Sequence, residues 1–294
     1  MSEWVAIGLR FAAYADLMLL AGLALGGGLG RHAPAIGRRV IGWLAALGVV
    51  ITVAQFVATC LAMTGNDPAA LDREMLAFMA FETPMGISHI VRVAALGLLV
   101  VLRAGLAGRP VLAALALIAL ASLAWVGHAG ASEAALGWAH RGSDIAHLVA
   151  GAIWMAALVM FVRMLLIDFA TPQAATSALS ALERFSGIGA IIVAAIVVSG
   201  SINLVAIVGI EGLSATFRTA YGQLLLLKFA LFGTMLGLAG FNRWRLVPDL
   251  KAVLGSGEQV AALRRLRLAI MAETMVAILI LAVVAVLGTL SPVD

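Results

Sequence analysis

Residues 185–209 read FSGIGAIIVAAIVVSGSINLVAIVG, a stretch without a single acidic or basic side chain. At 1.5 Å of rise per residue, a helix of this length crosses a hydrocarbon core of roughly 30 Å. Comparable apolar runs lie near 5–30, 39–64, 85–107, 110–130, 143–167, 220–241 and 267–290. The sequence therefore predicts an all-α polytopic membrane protein, a bundle of eight transmembrane helices with lipid as its solvent. No stretch between the runs is long enough for a separate soluble domain, so residues 1–294 are expected to form one integral membrane domain.

Composition supports the same reading. The chain is 63% hydrophobic and 12% charged with a mean hydropathy of +1.10, far from the soluble average of about half apolar and a quarter charged. The first apolar run follows Met1-Ser2-Glu3-Trp4, with no basic segment and no small-residue cleavage site, and so reads as a retained helix. The single cysteine, Cys60, excludes an intrachain disulfide and any CxxC motif.

Basic residues orient the bundle. Arg31, Arg38, Arg39, Arg103, Arg109, Arg163, Arg184, Arg243, Arg245, Lys251, Arg264, Arg265 and Arg267 fall in one set of alternate connections. The other set holds only Arg73, Arg141 and Arg218. By the positive-inside rule the rich set is cytoplasmic, which places both termini in the periplasm. The net charge of +4 then anchors helix ends and gives no basic patch for nucleic acid. On the outer side, residues 69–82 put Leu71, Met75, Phe78 and Met79 on one face, as an interfacial amphipathic helix would; a shorter one is expected at Glu211–Thr219. Gly22, Gly26 and Gly30 recur every fourth residue, the pattern of close helix packing in membranes.

On this topology four of the five histidines share the outer side: His89, His128, His140 and His147, with His32 alone inside. Imidazole is the commonest protein metal ligand, and thioether sulfur suits Cu(I). Met63, Met75, Met79, Met85 and Cys60 lie at the same level, and Met85 and His89 are four apart on one face. If the fifth span begins early, His140, Asp144 and His147 fall at i, i+4 and i+7, so that Asp144 can orient a metal-binding ring. His128 and His147 flank one short connection and form the leading candidate pair. Taken singly, a histidine near a membrane helix end is more often a hydrogen-bonded interface residue, and a methionine more often faces lipid or fills packing.

Ionisable residues inside spans are costly and mark functional sites. Counted from the outer ends, Arg92 and Lys228 lie roughly 10–12 Å deep, Asp16 is near the midplane, and Glu273 is closer to the cytoplasm. With Gln55 and Asn203 they are candidates for a polar translocation path. The alternative is that Asp16 or Glu273 pairs with Lys228 or an arginine simply to hold the bundle together. No GxSxG, HExxH or nucleotide-binding GxxxxGK[ST] motif is present, so no catalytic residue is assigned and the chain is not expected to be an enzyme.

An ordered series of short segments resembles the CopD family of bacterial copper-resistance membrane proteins, most strongly over 125–292. The series comprises Gly127-His128-Ala129; SDIAHLVAGAIW from Ser143 to Trp154; Arg184-Phe185-Ser186; TAYGQLLLLKFALF from Thr219; Phe241-Asn242-Arg243; Glu273; and Leu287-Gly288-Thr289 with Pro292. Earlier in the chain, Thr83 to Arg92 is similar to the segment leading into the third span. The resemblance implies an eight-helix inner-membrane protein of copper homeostasis that moves copper, Cu(I) or Cu(II), from periplasm to cytoplasm. It puts His128 and His147 at the family's histidine positions, with Asp144 and Trp154 in the surrounding pattern. Where the family carries a Gly-Gly pair after the tryptophan, this chain has Met155-Ala156-Ala157. The implied partner is a periplasmic copper-binding protein of the CopC type, supplied as a separate chain. Two other readings compete: a membrane cytochrome holding haem b between paired histidines, and a copper sensor or assembly subunit that transports nothing.

Overall fold

In the computed structural model, residues 3–26, 37–126, 134–167, 172–209, 212 and 216–291 are described, and every structural statement below concerns those residues. They form helices without strands. The order is α1 (Glu3–Ala24), α2 (Arg38–Met63), α3 (Arg73–Phe81), α4 (Pro84–Leu102), α5 (Arg109–Ala121) continued by a 3-10 turn (Ser122–Trp125), α6 (Ala134–Ile167), α7 (Pro172–Val208), α8 (Ala220–Phe241), a π-turn (Asn242–Leu246), α9 (Val247–Ala252) and α10 (Gln259–Leu287). Seven helical segments, with α8 counted through α9, are long and apolar enough to cross a membrane. The eighth expected crossing, Arg109–Trp125, is apolar but shorter. Two helices outrun their expected starts: α6 begins at Ala134 and not near 143, and α7 begins at Pro172 and not near 185.

The apolar surface is turned outward, as lipid requires. On α7, Ile191, Val198, Ile202 and Val205 are exposed, while Ser199, near the same level, is buried against α6. Helix α1 is central, packed on α2, α5, α6 and α10. Apolar side chains gain nothing by leaving lipid for one another, so this packing rests on close van der Waals contact and hydrogen bonds between helices. Gly22 is where α1 and α6 come closest. A Cβ there would overlap the Ala152 carbonyl oxygen and stand 2.6 Å from the Ala156 Cβ. The expected glycine ladder therefore reduces to Gly22. Gly26 ends the helix at φ +80°, and Gly30 lies outside the described residues.

The amphipathic segment expected at 69–82 forms α3, capped by the Asp72 carboxylate accepting from the Met75 N–H at 2.7 Å. Its packed face differs from the expected one. Met79 is buried while Phe78 is 59% exposed, leaving Phe78 and Phe81 free to enter the interface beside α4. Of the short helix expected at Glu211–Thr219, Thr216 is helical and donates its N–H to the Gly212 carbonyl at 2.9 Å, residues 217–219 turn away from it, and Glu211 lies outside the described residues. At the opposite end, Lys251 pairs with Glu183 at 2.7 Å and Arg243 donates to the Ser186 carbonyl, tying α9 and the π-turn to α7.

Candidate functional site: a polar layer inside the bundle

Two of the three described histidines have a defined hydrogen-bond geometry. On α4, His89 is buried, and its Nδ1 stands 2.8 Å from the Met85 carbonyl one turn earlier. A carbonyl can only accept, so Nδ1 carries the proton and the Nε2 lone pair is left bare. On α6, the His147 Nδ1 is 3.0 Å from the Ser199 hydroxyl of α7. That hydroxyl directs its one proton to the backbone carbonyls of Ala195 and Ile196, so it too accepts from Nδ1–H. Both rings are thus held in the tautomer that presents Nε2.

The early start of α6 puts His140, Asp144 and His147 on one continuous helix, but Asp144 does not hold His147. Its carboxylate accepts from the Asn203 amide at 3.3 Å, and its electrostatic partner is Lys228 of α8. Lys228 also neighbours His147. A cation beside that ring opposes a second one, and Asp144 offsets it. Ser143 reinforces the seam between α6 and α7 by donating to the Ser199 carbonyl at 3.0 Å. Tyr14 of α1 interacts electrostatically with both Asp144 and Arg92, so it joins this group to the one on α4.

Arg92 is fully buried. Its Nε donates to Ser122 at 2.8 Å and its Nη1 to the Gln55 carbonyl oxygen at 3.4 Å, while Nη2 has no partner. Gln55 in turn donates to the Leu9 carbonyl at 3.2 Å, joining α2 to α1. His89 is an electrostatic neighbour of Arg92 and packs its ring on Phe56. His140 is buried on α6. Beside it, Arg141 lies over Trp138 and Trp125, with its guanidinium carbon 5.3 and 6.0 Å from the ring centroids, an arrangement suited to the membrane interface.

The sulfur residues separate. Cys60 and Met79 are buried, Met63 is turned outward, and Met85 contributes its carbonyl to His89. Among the described residues no three His, Cys, Asp or Glu side chains converge as a ligand group. The reason lies in the packing: His89 belongs to the α2–α4–α5 side of the bundle, whereas His147 faces α7. His128, the expected partner of His147, and His32 lie outside the described residues.

A second polar cluster lies deeper. The Glu273 carboxylate accepts from the Trp154 indole at 3.1 Å and from the Asn242 amide at 2.9 Å, all three side chains being buried. Trp154 is thus a partner of Glu273 and does not neighbour a histidine through a hydrogen bond. The π-turn sets Asn242 in place, and its Oδ1 is left unpaired. The pairing of Glu273 or Asp16 with Lys228 or an arginine does not occur. Glu273 is held by neutral donors, and both carboxylate oxygens of Asp16 are unpartnered. Sequence reasoning missed Tyr14, Ser122, Ser199 and the Asn242 contact, because hydroxyl and amide side chains in apolar runs carry no local mark of the helix they will meet.

Comparison with known proteins agrees with the resemblance read from the sequence. The family model for Copper resistance protein D matches residues 179–287, and that for the Copper resistance protein D-like N-terminal domain matches residues 1–138. The chain is 37% identical over 305 residues to Copper resistance protein D of Pseudomonas syringae pv. tomato, covering 99% of this chain and 98% of that one. It is 35% identical over 131 residues to inner membrane protein YebZ of Escherichia coli (strain K12), covering 44% and 43% of the two chains. No solved structure matches it. The buried histidines, the charged layer and the outward apolar faces are those of a multi-pass membrane protein that belongs to the copper resistance protein D family.

Proposed function

We propose that this chain takes up copper at the periplasmic side of the inner membrane and passes it inward through the bundle. Copper binds first at His147, with His128 as the second imidazole, and His89 with Met85 offers a further donor position on α4. The observation that carries this reading is the shared tautomer: His89 and His147 each have Nδ1–H engaged by an oxygen and Nε2 free. Metal-binding histidines in proteins are oriented in the same way. The family membership supplies the metal. Inward from the histidines, Arg92, Gln55, Asn203, Lys228, Asp16 and Glu273 line the route, an assignment supported by their burial or part-burial at membrane depth.

The orientation that fits is both termini periplasmic with eight crossings. In favour of the eighth, α5 and its 3-10 continuation together extend about 27 Å, close to the core thickness. A separate periplasmic copper-binding chain of the CopC type is the proposed donor, and copper is cargo here.

The test is copper stoichiometry and affinity of the purified protein, beside copper flux into proteoliposomes. His147→Ala is expected to lose most of the affinity, and the combined change at His128 and His147 to cost much less than the sum of the two, since both destroy one site. A folded double variant that keeps full stoichiometry and affinity overturns the site. Intact binding with no flux in the wild type would make the chain a sensor or assembly subunit.

A further inference from the structure

Asp16 stands about 20 Å along α1 from the helix start, near the middle of the bundle. It is 5% exposed, and neither carboxylate oxygen has a hydrogen-bond partner. Space for the group comes from Gly48 of α2, where a Cβ would lie 2.6 Å from Oδ2; the Leu96 side chain of α4 closes the same pocket. The nearest hydroxyl on α2, Thr52, is committed to the Gly48 carbonyl at 2.7 Å.

The charged groups on the surrounding helices lie elsewhere and do not pair with Asp16. Arg92, one turn from Leu96 on α4, is held by Ser122 and Gln55, and Arg103 lies against Gly42. Asp144 on α6 faces Lys228, Glu273 on α10 is held by Trp154 and Asn242, and Arg10 on α1 itself reaches Gly288. Arg109 opens α5 at its far end, and none of these is an electrostatic partner of Asp16.

An ionised carboxylate in that setting would be an unpaired charge in a low-dielectric interior, which folded proteins avoid by neutralising the group. A divalent metal is no substitute, because one carboxylate without further donors does not make a coordination shell. The cation a single carboxyl can hold is a proton. Even protonated, the O–H finds no acceptor, so the group destabilises this packing and is better satisfied in an arrangement that admits water. It has no structural task that leucine or asparagine would not perform equally well.

We propose that Asp16 is a proton-binding site, occupied in the conformation described here and emptied when α1 parts from α2 and α4, so that inward passage of copper is coupled to movement of a proton. The coupling rests on the transport reading above; the proton site does not.

Two measurements separate them. The full chain in detergent is treated with a hydrophobic carbodiimide, which attacks protonated buried carboxyls, and the adduct is located by peptide mass spectrometry. Labelling at Asp16 that declines as pH rises is expected, together with its loss in Gly48→Ala, where the added methyl displaces the carboxyl. Absence of Asp16 labelling across the pH range overturns the proton site, whether or not copper moves. In proteoliposomes containing a pH-sensitive dye, wild type is expected to show proton movement on copper addition. Asp16→Asn is expected to abolish that signal while the protein stays folded and monodisperse in detergent. A variant that moves copper and protons as wild type does overturns the coupling. A wild type that moves no copper, with Asp16 still labelled, overturns the transport reading and the coupling and leaves the proton site standing.

Discussion

The Nδ1 of His147 and the hydroxyl of Ser199 stand 3.0 Å apart across the seam between α6 and α7, and with the Ile196 backbone carbonyl this contact orients the ring. Ser199→Ala removes one of the two groups that hold the ring, leaving the Ile196 backbone carbonyl as the other. We expect copper affinity to fall about 10–100-fold, the usual scale for loss of a group that orients a ligand. Competition with a copper chelator in detergent reads the change, and His147→Ala sets its upper limit. An unchanged affinity would mean that Ser199 does not orient a ligand.

Copper competes with protons for Nε2, so affinity must fall as pH is lowered. The sign is fixed because only the neutral ring ligates. Titrating copper affinity against pH in the wild type and in His147→Ala measures the contribution of that ring, and the variant is expected to show the shallower dependence.

Asp144 and Lys228 make opposite predictions. With Asp144→Asn the charge of Lys228 beside His147 is no longer offset, and copper affinity should drop. With Lys228→Met the repulsion is gone, and affinity should rise. Each change should be on the order of tenfold, the effect of one partly screened charge worth about 1–2 kcal/mol. Movement of both variants in the same direction would show that the pair acts through the fold instead.

At the deeper cluster, Glu273→Gln should be well tolerated, because Asn242 has an unpaired Oδ1 and can turn its amide to accept from the new NH2. Glu273→Leu leaves the Trp154 indole and the Asn242 amide without acceptors, at about 1–3 kcal/mol for each stranded donor. Thermal melting in detergent should rank wild type and Glu273→Gln together, well above Glu273→Leu. Removal of the exposed Lys251–Glu183 pair is the control and should change the melt by less than about 1 kcal/mol.

Gly22→Val tests the packing of α1 on α6. The added methyls collide with the Ala152 backbone, which cannot yield as a flexible side chain would. A loss of about 1–3 kcal/mol or more is expected, read as a lower melting temperature, whereas the same change at the open position Gly97 should be mild.

The order of the apolar helices was legible in the sequence because it is a one-dimensional property. Uninterrupted apolar runs such as 185–209 mark helices wherever lipid is the solvent, and burial of Arg92, Asp16 and Glu273 follows from charges set inside such runs. The family, too, could be read from ordered short motifs. Pairing could not. That Ser199 meets His147, that Asn203 and not a histidine meets Asp144, and that Trp154 serves Glu273 depend on helix rotation and contact between residues 52, 59 and 119 positions apart. A hydroxyl or amide in an apolar run has several faces open to it, and only the close approach of particular helices selects one. At Gly22 that approach is set by backbone against backbone, a constraint invisible until α1 and α6 are laid together.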